Sequence, residues 1–169
     1  MFSIPGNGGS TGGGGGTGGP EKNSGLLGSA PTYSKYWNCD QNGAWKVTDN
    51  TGKTVTNAWL CDNAVSGNGE NIWYLMNGDG AMLSAGLVQD LSGNFYSIET
   101  EHNGFYGMLR YIDGWYNCNG QQVYLQFSHK HDGTFGAVIN PDGIAKLKDI
   151  YKVTSYGVGN NNCVYTSTF

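Results

Sequence analysis

The chain has 169 residues, of which 29 are glycine, and only 13% are charged, against about 25% in a typical globular domain. Its formal net charge is −4, and no apolar run is long enough to span a bilayer. Nucleic acids and anionic membranes reward clustered Lys and Arg, so we expect neither as a partner and predict no membrane insertion.

Residues 1–31 are rich in glycine and include a run of five glycines at 12–16. Such a composition cannot bury a core, so we predict a flexible, disordered linker. A phosphate-binding loop is excluded because no Gly-Lys-Ser/Thr sequence follows, and we predict no cofactor. The first five residues have neither the charged nor the apolar region of a signal peptide. We therefore expect a fragment of a longer exported protein with another domain upstream.

Residues 32–169 are predicted to form one folded domain that is mainly β. Short alternating runs at 72–76, 95–98, 122–127 and 134–139 predict half-buried strands. Asn-Gly and Asp-Gly tolerate the positive φ of tight turns. These dipeptides are Asn42-Gly43, Asp79-Gly80, Asn103-Gly104, Asp113-Gly114, Asn119-Gly120, Asp132-Gly133 and Asp142-Gly143.

One short helix is predicted over residues 141–151, near the C-terminus. Ile144, Leu147 and Ile150 or Tyr151 fall on one face, and Pro141 suits a first helical turn.

A degenerate repeat organises the predicted strands. Each unit is an aromatic strand, a glycine turn and a return strand of small residues, and the turn glycines are Gly52, Gly80, Gly104 and Gly133. A lone hairpin is marginal in water, so we predict stacked hairpins in a solenoid-like array. Five large side chains on the alternating strands are predicted to be core: Trp45, Leu75, Ile98, Leu125 and Phe127.

Trp59, residues 73–75 (Trp-Tyr-Leu), residues 79–82 (Asp-Gly-Ala-Met) and Gly86 resemble the cell wall-binding repeat. That family includes the choline-binding repeats of Gram-positive surface proteins and the related glucan-binding repeats. The resemblance covers about residues 43–138. It implies a β-hairpin solenoid, location on the bacterial cell surface, and binding to a wall polymer or glycan.

The resemblance also implies a ligand site made of Trp59, Trp73, Tyr74 and Met82. A quaternary ammonium has no hydrogen-bond donor, so aromatic faces hold it. Two departures weaken a regular array, because Leu87 stands where the next tryptophan belongs and Leu109-Arg110 replaces the third unit's pattern. Exposure of Trp59 and Trp73 would favour binding, and burial of both would favour a structural spacer or protein-interaction module.

A sugar ligand needs exposed aromatics with amides nearby, and the candidate amides carry no distinguishing spacing. They are Asn63, Asn68, Asn71, Gln121 and Gln122.

The remaining reactive side chains are given structural roles. Four cysteines in a glycine-rich exported chain predict two disulfides with three possible connectivities. His102 and His131 recur beside turns, so we expect them to support those turns and predict no metal site. A thiol peptidase using Cys118 or Cys163 with His129 or His131, or a glycosidase using two carboxylates, lacks its signature, and we predict a non-catalytic chain.

Overall fold

A computed structural model describes residues 24–26, 37–48, 52–62, 72–118, 120–130, 132–147, 150–156 and 163–165. Within these ranges the chain forms strands and one helix, α1 (Pro141–Lys146). The prediction of a mainly β chain with a short helix is confirmed. The strands are β1 (Ser24–Leu26), β2 (Trp37–Cys39), β3 (Trp45–Val47), β4 (Ala58–Cys61), β5 (Trp73–Met76), β6 (Leu87–Gln89), β7 (Phe95–Tyr96), β8 (Gly114–Cys118), β9 (Gln121–Leu125), β10 (Ile150–Lys152) and β11 (Cys163–Tyr165).

Four antiparallel hairpins follow one another along the chain: β2–β3, β4–β5, β6–β7 and β8–β9. The first and third close through the same polar turn. The Oδ1 atom of Asp40 accepts hydrogen bonds from the backbone N–H groups two and four residues later, and Asp90 does the same. Asp favours such turns because its side chain replaces a backbone partner.

After each hairpin the chain makes one isolated bridge back to its second strand, the aromatic strand of the predicted repeat, at or just after the end of that strand. We call the second residue of each bridge the return residue, and a hairpin with its return residue a unit. The four bridges are Thr48–Thr54, Met76–Met82, Ile98–Leu109 and Phe127–Val138. The predicted unit paired the aromatic strand with a return strand after the glycine turn. In the structure this return makes a single bridge, and the hairpin ladder is formed with the strand that precedes the aromatic strand.

A glycine with positive φ lies two residues before each return residue. These glycines are Gly52, Gly80, Gly107 and Gly136, with φ between 82° and 88°. The predicted turn glycines of the third and fourth units, Gly104 and Gly133, lie three residues earlier. Residues 134–139, predicted as a strand, instead form turns and two isolated bridges.

Consecutive units are joined by a backbone hydrogen bond that recurs three times. The backbone N–H of each return residue donates to a backbone carbonyl in the preceding unit. The acceptor is the first residue of that unit's second strand. The pairs are Met82 to Trp45, Leu109 to Trp73 and Val138 to Phe95, at 2.7, 2.8 and 2.7 Å. This recurrence shows that the units stack in register, whereas a continuous solenoid stays a prediction.

The C-terminal segment adds parallel strands to the hairpins. β10 pairs with β6, and β11 lies between β4 and β1. The helix predicted to reach Tyr151 ends at Lys146, because Ile150 and Tyr151 pair with β6 instead. β1 falls within the predicted linker, and the rest of residues 1–31 lies outside the described residues.

Buried side chains form one cluster at each joint between units. The joint between the first two units contains Val47, Tyr74 and Met76, with Trp37 and Met82 packed against them. The second joint contains Trp59, Trp73, Tyr96, Leu109 and Phe135. The third is more aliphatic and contains Leu87, Val123, Leu125, Phe127 and Val138. Leu75, Ile98, Leu125 and Phe127 are buried as predicted.

A buried ion pair occupies the third unit, where Arg110 departs from the family pattern. Its guanidinium donates to Glu99 through Nη2, at 2.9 Å, and lies 4.8 Å from the ring centroid of Tyr116. Burial opposes ionisation of Glu99, but hydrogen bonds from Arg110 and the backbone outweigh it and hold the pKa of Glu99 below its ordinary value.

The prediction of two disulfides is wrong. Cys39, Cys61 and Cys118 are not in disulfides in the structure, and two of them are buried. Buried thiols pack as small apolar groups, so Cys61 and Cys118 belong to the core.

The described helix has six residues, and none in the described part of the chain is long and apolar enough to cross a membrane.

Candidate functional site

A cavity of about 770 Å³ lies where the first unit, the second unit and the return loop of the third unit meet. The return loop is the segment before a return residue, here residues 102–106. Its volume is within the usual range of ligand pockets, about 300–1,000 Å³. Its lining is mostly aromatic, and it consists of Trp37, Gly43, Trp45, Tyr74, Met82, His102, Gly104 and Tyr106.

Three aromatic rings form the wall of this cavity at steep angles to one another. The centroid of Trp37 lies 6.5 Å from that of Trp45, with an interplanar angle of 71°. It lies 5.1 Å from that of Tyr74, with an angle of 69°. Rings that meet near right angles border the cavity with both π faces and ring edges.

Trp37 is held by its indole nitrogen. Nε1 donates a 2.6 Å hydrogen bond to Oδ2 of Asp62, which is buried at the end of β4. Because the indole N–H is satisfied within the protein, Trp37 offers the cavity its ring and no free hydrogen-bond donor.

Tyr74 reaches the cavity because β5 alternates between two clusters. Trp73 and Leu75 face the second joint, while Tyr74 and Met76 face the first. Burial, together with the charges of Asp62 and Cys61, raises the pKa of Tyr74 well above its ordinary value. The phenol therefore stays neutral across the physiological range.

Met82 lines the cavity and connects three units. It bridges to Met76, and its N–H donates to the carbonyl of Trp45. Gly107 of the third unit lies against it, since a Cβ there would be 2.5 Å from the Met82 methyl carbon. This close approach and the φ of +82° both require glycine at position 107.

His102 and Tyr106 also line the cavity. Their rings stack with centroids 4.0 Å apart and an angle of 11°. His102 lines the cavity, and its expected role in supporting a turn stays a prediction; His131 lies outside the described residues.

The structure divides the four predicted site residues into two pairs. Tyr74 and Met82 line the cavity. Trp59 and Trp73 are buried in the core of the second joint.

Trp45 was predicted as core, and this is wrong: its side chain is 43% exposed and lines the cavity. It lies on β3 of the first unit, at the joint with the second unit. Trp37 was missed. The signal that identifies it is an aspartate three residues later, Asp40, as Asp62 follows Trp59.

The side chains considered for catalysis have other partners. Cys118 is buried, and its Sγ accepts a hydrogen bond from Nη1 of Arg110 at 3.4 Å. His129 contacts Asp113 on the surface at 3.2 Å. No group of three potential metal ligands occurs among the described side chains.

No protein-family model matches the chain, and no curated protein matches it. Among solved structures, it is similar to choline binding protein F from Streptococcus pneumoniae, with 22% identity and a TM-score of 0.39, over 66% of this chain and 28% of that chain.

It is also similar to the multimodular pneumococcal cell wall endolysin from phage Cp-1 complexed with choline, with 24% identity and a TM-score of 0.34, over 79% of this chain and 35% of that chain. The modular Cpl-1 endolysin complexed with a peptidoglycan analogue has 19% identity and a TM-score of 0.30, over 81% and 43%. The chain therefore spans less than half the length of each of these structures.

Proposed function

We propose that the chain is a non-catalytic module that attaches an exported bacterial protein to the cell wall by holding quaternary ammonium groups of a wall polymer. The observation that carries this proposal is the arrangement of Trp37, Trp45 and Tyr74 around one cavity, with Met82 beside them. Aromatic faces attract a cation that offers no hydrogen bonds.

The chemistry of the lining favours a cation over a sugar. Its side chains include no Asn or Gln to bind hydroxyl groups and no Lys or Arg to repel a cation. The amides considered for sugar binding lie elsewhere: Gln121 and Gln122 are in β9, and the three asparagines are outside the described residues. The net charge of −4 also favours approach of a cationic group.

A structural spacer is the second candidate, and the burial of Trp59 and Trp73 favours it. On this hypothesis the aromatics serve packing alone and the cavity holds no ligand.

The test is calorimetric titration of the full chain with choline and with 3,3-dimethylbutan-1-ol, its uncharged analogue of nearly the same shape. We expect choline to bind about tenfold more tightly, because a desolvated cation–π contact contributes ~1–2 kcal/mol. Equal affinity for both compounds would show an apolar pocket without cation recognition. Binding of neither would support the spacer.

Attachment itself is tested by co-sedimentation of the full chain with purified Gram-positive cell walls. We expect sedimentation that excess choline abolishes. Sedimentation that choline leaves intact would point to glycan recognition elsewhere on the module and would contradict the proposal.

A further inference from the structure

The second joint repeats the residues of the cavity position by position. Trp37 pairs with the residue just before its unit's bridge, Val47, and Trp59 pairs with the equivalent residue Leu75. Trp45 and Trp73 each lie three residues before the bridge and accept the joint hydrogen bond. The two tryptophans of each unit are therefore equivalent.

The next unit contributes equivalent residues as well. Tyr74 and Tyr96 each lie two residues before a bridge, and their rings meet the tryptophan of the unit before in the same way. The Trp37–Tyr74 centroids are 5.1 Å apart at 69°, and the Trp59–Tyr96 centroids are 5.2 Å apart at 59°. Leu109 takes the place of Met82.

The equivalence extends to the return loop that closes each site. Tyr106 lines the cavity and immediately precedes Gly107; Phe135 packs on the second joint and immediately precedes Gly136. The second joint is thus built as an aromatic site, yet both of its tryptophans are buried.

The C-terminal segment covers this second site. Tyr151, Val153 and Tyr156 pack on the second-joint cluster. The indole Nε1 of Trp59 donates a 3.1 Å hydrogen bond to the hydroxyl of Tyr156. The backbone of the segment is fixed alongside by the bond from Val153 N–H to the carbonyl of Gln89, at 2.9 Å.

One buried polar atom of the second joint lacks the hydrogen bond that its counterpart makes in the first site. In the first site the indole of Trp37 binds Oδ2 of Asp62, the aspartate of the following unit. The equivalent partner for Trp59 is Oδ2 of Asp90, which follows Leu87 by three residues. That atom is buried and has no hydrogen-bond partner. Buried polar atoms are normally paired, so an orphaned carboxylate oxygen needs a cause.

We infer that the joint around Trp59, Trp73 and Tyr96 is a second quaternary ammonium site that the chain's own segment 150–156 keeps closed through Tyr156. Opening it removes Tyr156 from the indole and frees the Trp59 N–H to bind Asp90. The module then changes from one ligand site to two. Two linked contacts on one polymer raise the overall affinity without any new type of contact.

This inference rests on the proposed function, and two readouts separate their failures. The first needs no ligand: oxidation of tryptophan by N-bromosuccinimide in the full chain, mapped by peptide mass spectrometry. We expect Trp59 and Trp73 to be protected in the wild type and to react in the Val153→Ala/Tyr156→Ala variant. Continued protection in a folded variant would overturn the inference, whatever choline does.

The second readout is the number of choline molecules bound in calorimetry. We expect one for the wild type and two for the double variant, with circular dichroism confirming that the variant is folded. One site in both would contradict the second site while leaving the proposed function intact. No binding by either would remove the proposed function and this inference together.

Tyr156→Phe is the matched control, because it keeps the packing ring and loses the hydroxyl. We expect it to stay closed and to bind one choline. Binding of two choline molecules by this variant would mean that the hydrogen bond from Trp59 alone keeps the joint closed. It would contradict closure by the packed ring of residue 156.

Discussion

The backbone N–H of Met82 donates a 2.7 Å hydrogen bond to the carbonyl of Trp45, which ties the methionine of the cavity to its exposed tryptophan. Because this bond is main chain, the ring of Trp45 can be changed without removing the joint. The proposed ligand-binding role and the structural role of this position are therefore separable by mutation.

Trp45→Ala should weaken choline binding by about tenfold or more, because it removes one π face of the cavity. Its free energy of unfolding should fall by about 1–2 kcal/mol, less than the ~3–5 kcal/mol of a fully buried tryptophan, since the side chain is 43% exposed. The measurement is calorimetric titration with choline, alongside urea unfolding. Trp115→Ala is the control, because Trp115 is 67% exposed and does not line the cavity. An equal loss of binding in both variants would contradict the site.

Gly107→Ala should destabilise the chain more than Gly120→Ala. The two glycines have nearly the same φ, 82° and 81°, so the backbone strain is matched. A Cβ at 107 meets the end of Met82 at 2.5 Å, whereas one at 120 meets nothing within 4 Å. We expect a difference of about 1–2 kcal/mol in the free energy of unfolding, with weaker choline binding for Gly107→Ala alone. Equal destabilisation would show that Met82 yields freely.

Arg110→Met should cost about 3–5 kcal/mol, because it leaves Glu99 as an unpaired charge in the core. Adding Glu99→Gln should restore part of this loss, since the remaining side chain is neutral. Denaturant unfolding of the single and double variants measures the coupling. Lys46→Met is the control, because the Lys46–Asp40 pair is more exposed and should contribute less than about 1 kcal/mol. Similar costs for both single variants would contradict a buried pair.

Asp90→Asn should stabilise the chain more at pH 7 than at pH 4. Burial raises the pKa of Asp90, although hydrogen bonds from Ser92 and Asn94 oppose this shift. The folded state therefore holds its proton more tightly than the unfolded state. The wild type loses stability as the pH rises from about 4, the ordinary value, through the raised pKa of Asp90.

Asn keeps the turn, because the Oδ1 atom of Asn77 already accepts the same pair of backbone hydrogen bonds elsewhere in the chain. Urea unfolding of both proteins at the two pH values measures the difference. A variant that gains no more at pH 7 than at pH 4 would show that Asp90 ionises without penalty. Asp40→Asn is the control of opposite sign, since hydrogen bonds from the backbone of Ala44 and Asn42 hold the pKa of Asp40 below its ordinary value.

The local chemistry of the sequence determined the hairpins and their chemical character. Asp, Asn and Gly at the turns and the apolar or aromatic runs at 72–76 and 122–127 are short-range signals, and the structure has β5 and β9 there. The recurrence of Trp with Asp three residues later, at 37–40 and 59–62, likewise lies in the sequence. These patterns predict an aromatic repeat, whereas the assignment of Tyr74 and Met82 to a site came from the resemblance to the cell wall-binding repeat.

The tertiary structure decided which of two equivalent tryptophan pairs is open. Trp37 and Trp59 carry the same local pattern, with Cys two residues later and Asp three residues later, so no short-range signal separates these two tryptophans. The difference comes from Tyr156, which lies 97 residues after Trp59 and covers it. The same distant segment ended the helix at Lys146, because pairing of β10 with β6 replaced further helical turns. Burial of a side chain depends on what packs against it, and here that partner comes from the far end of the chain.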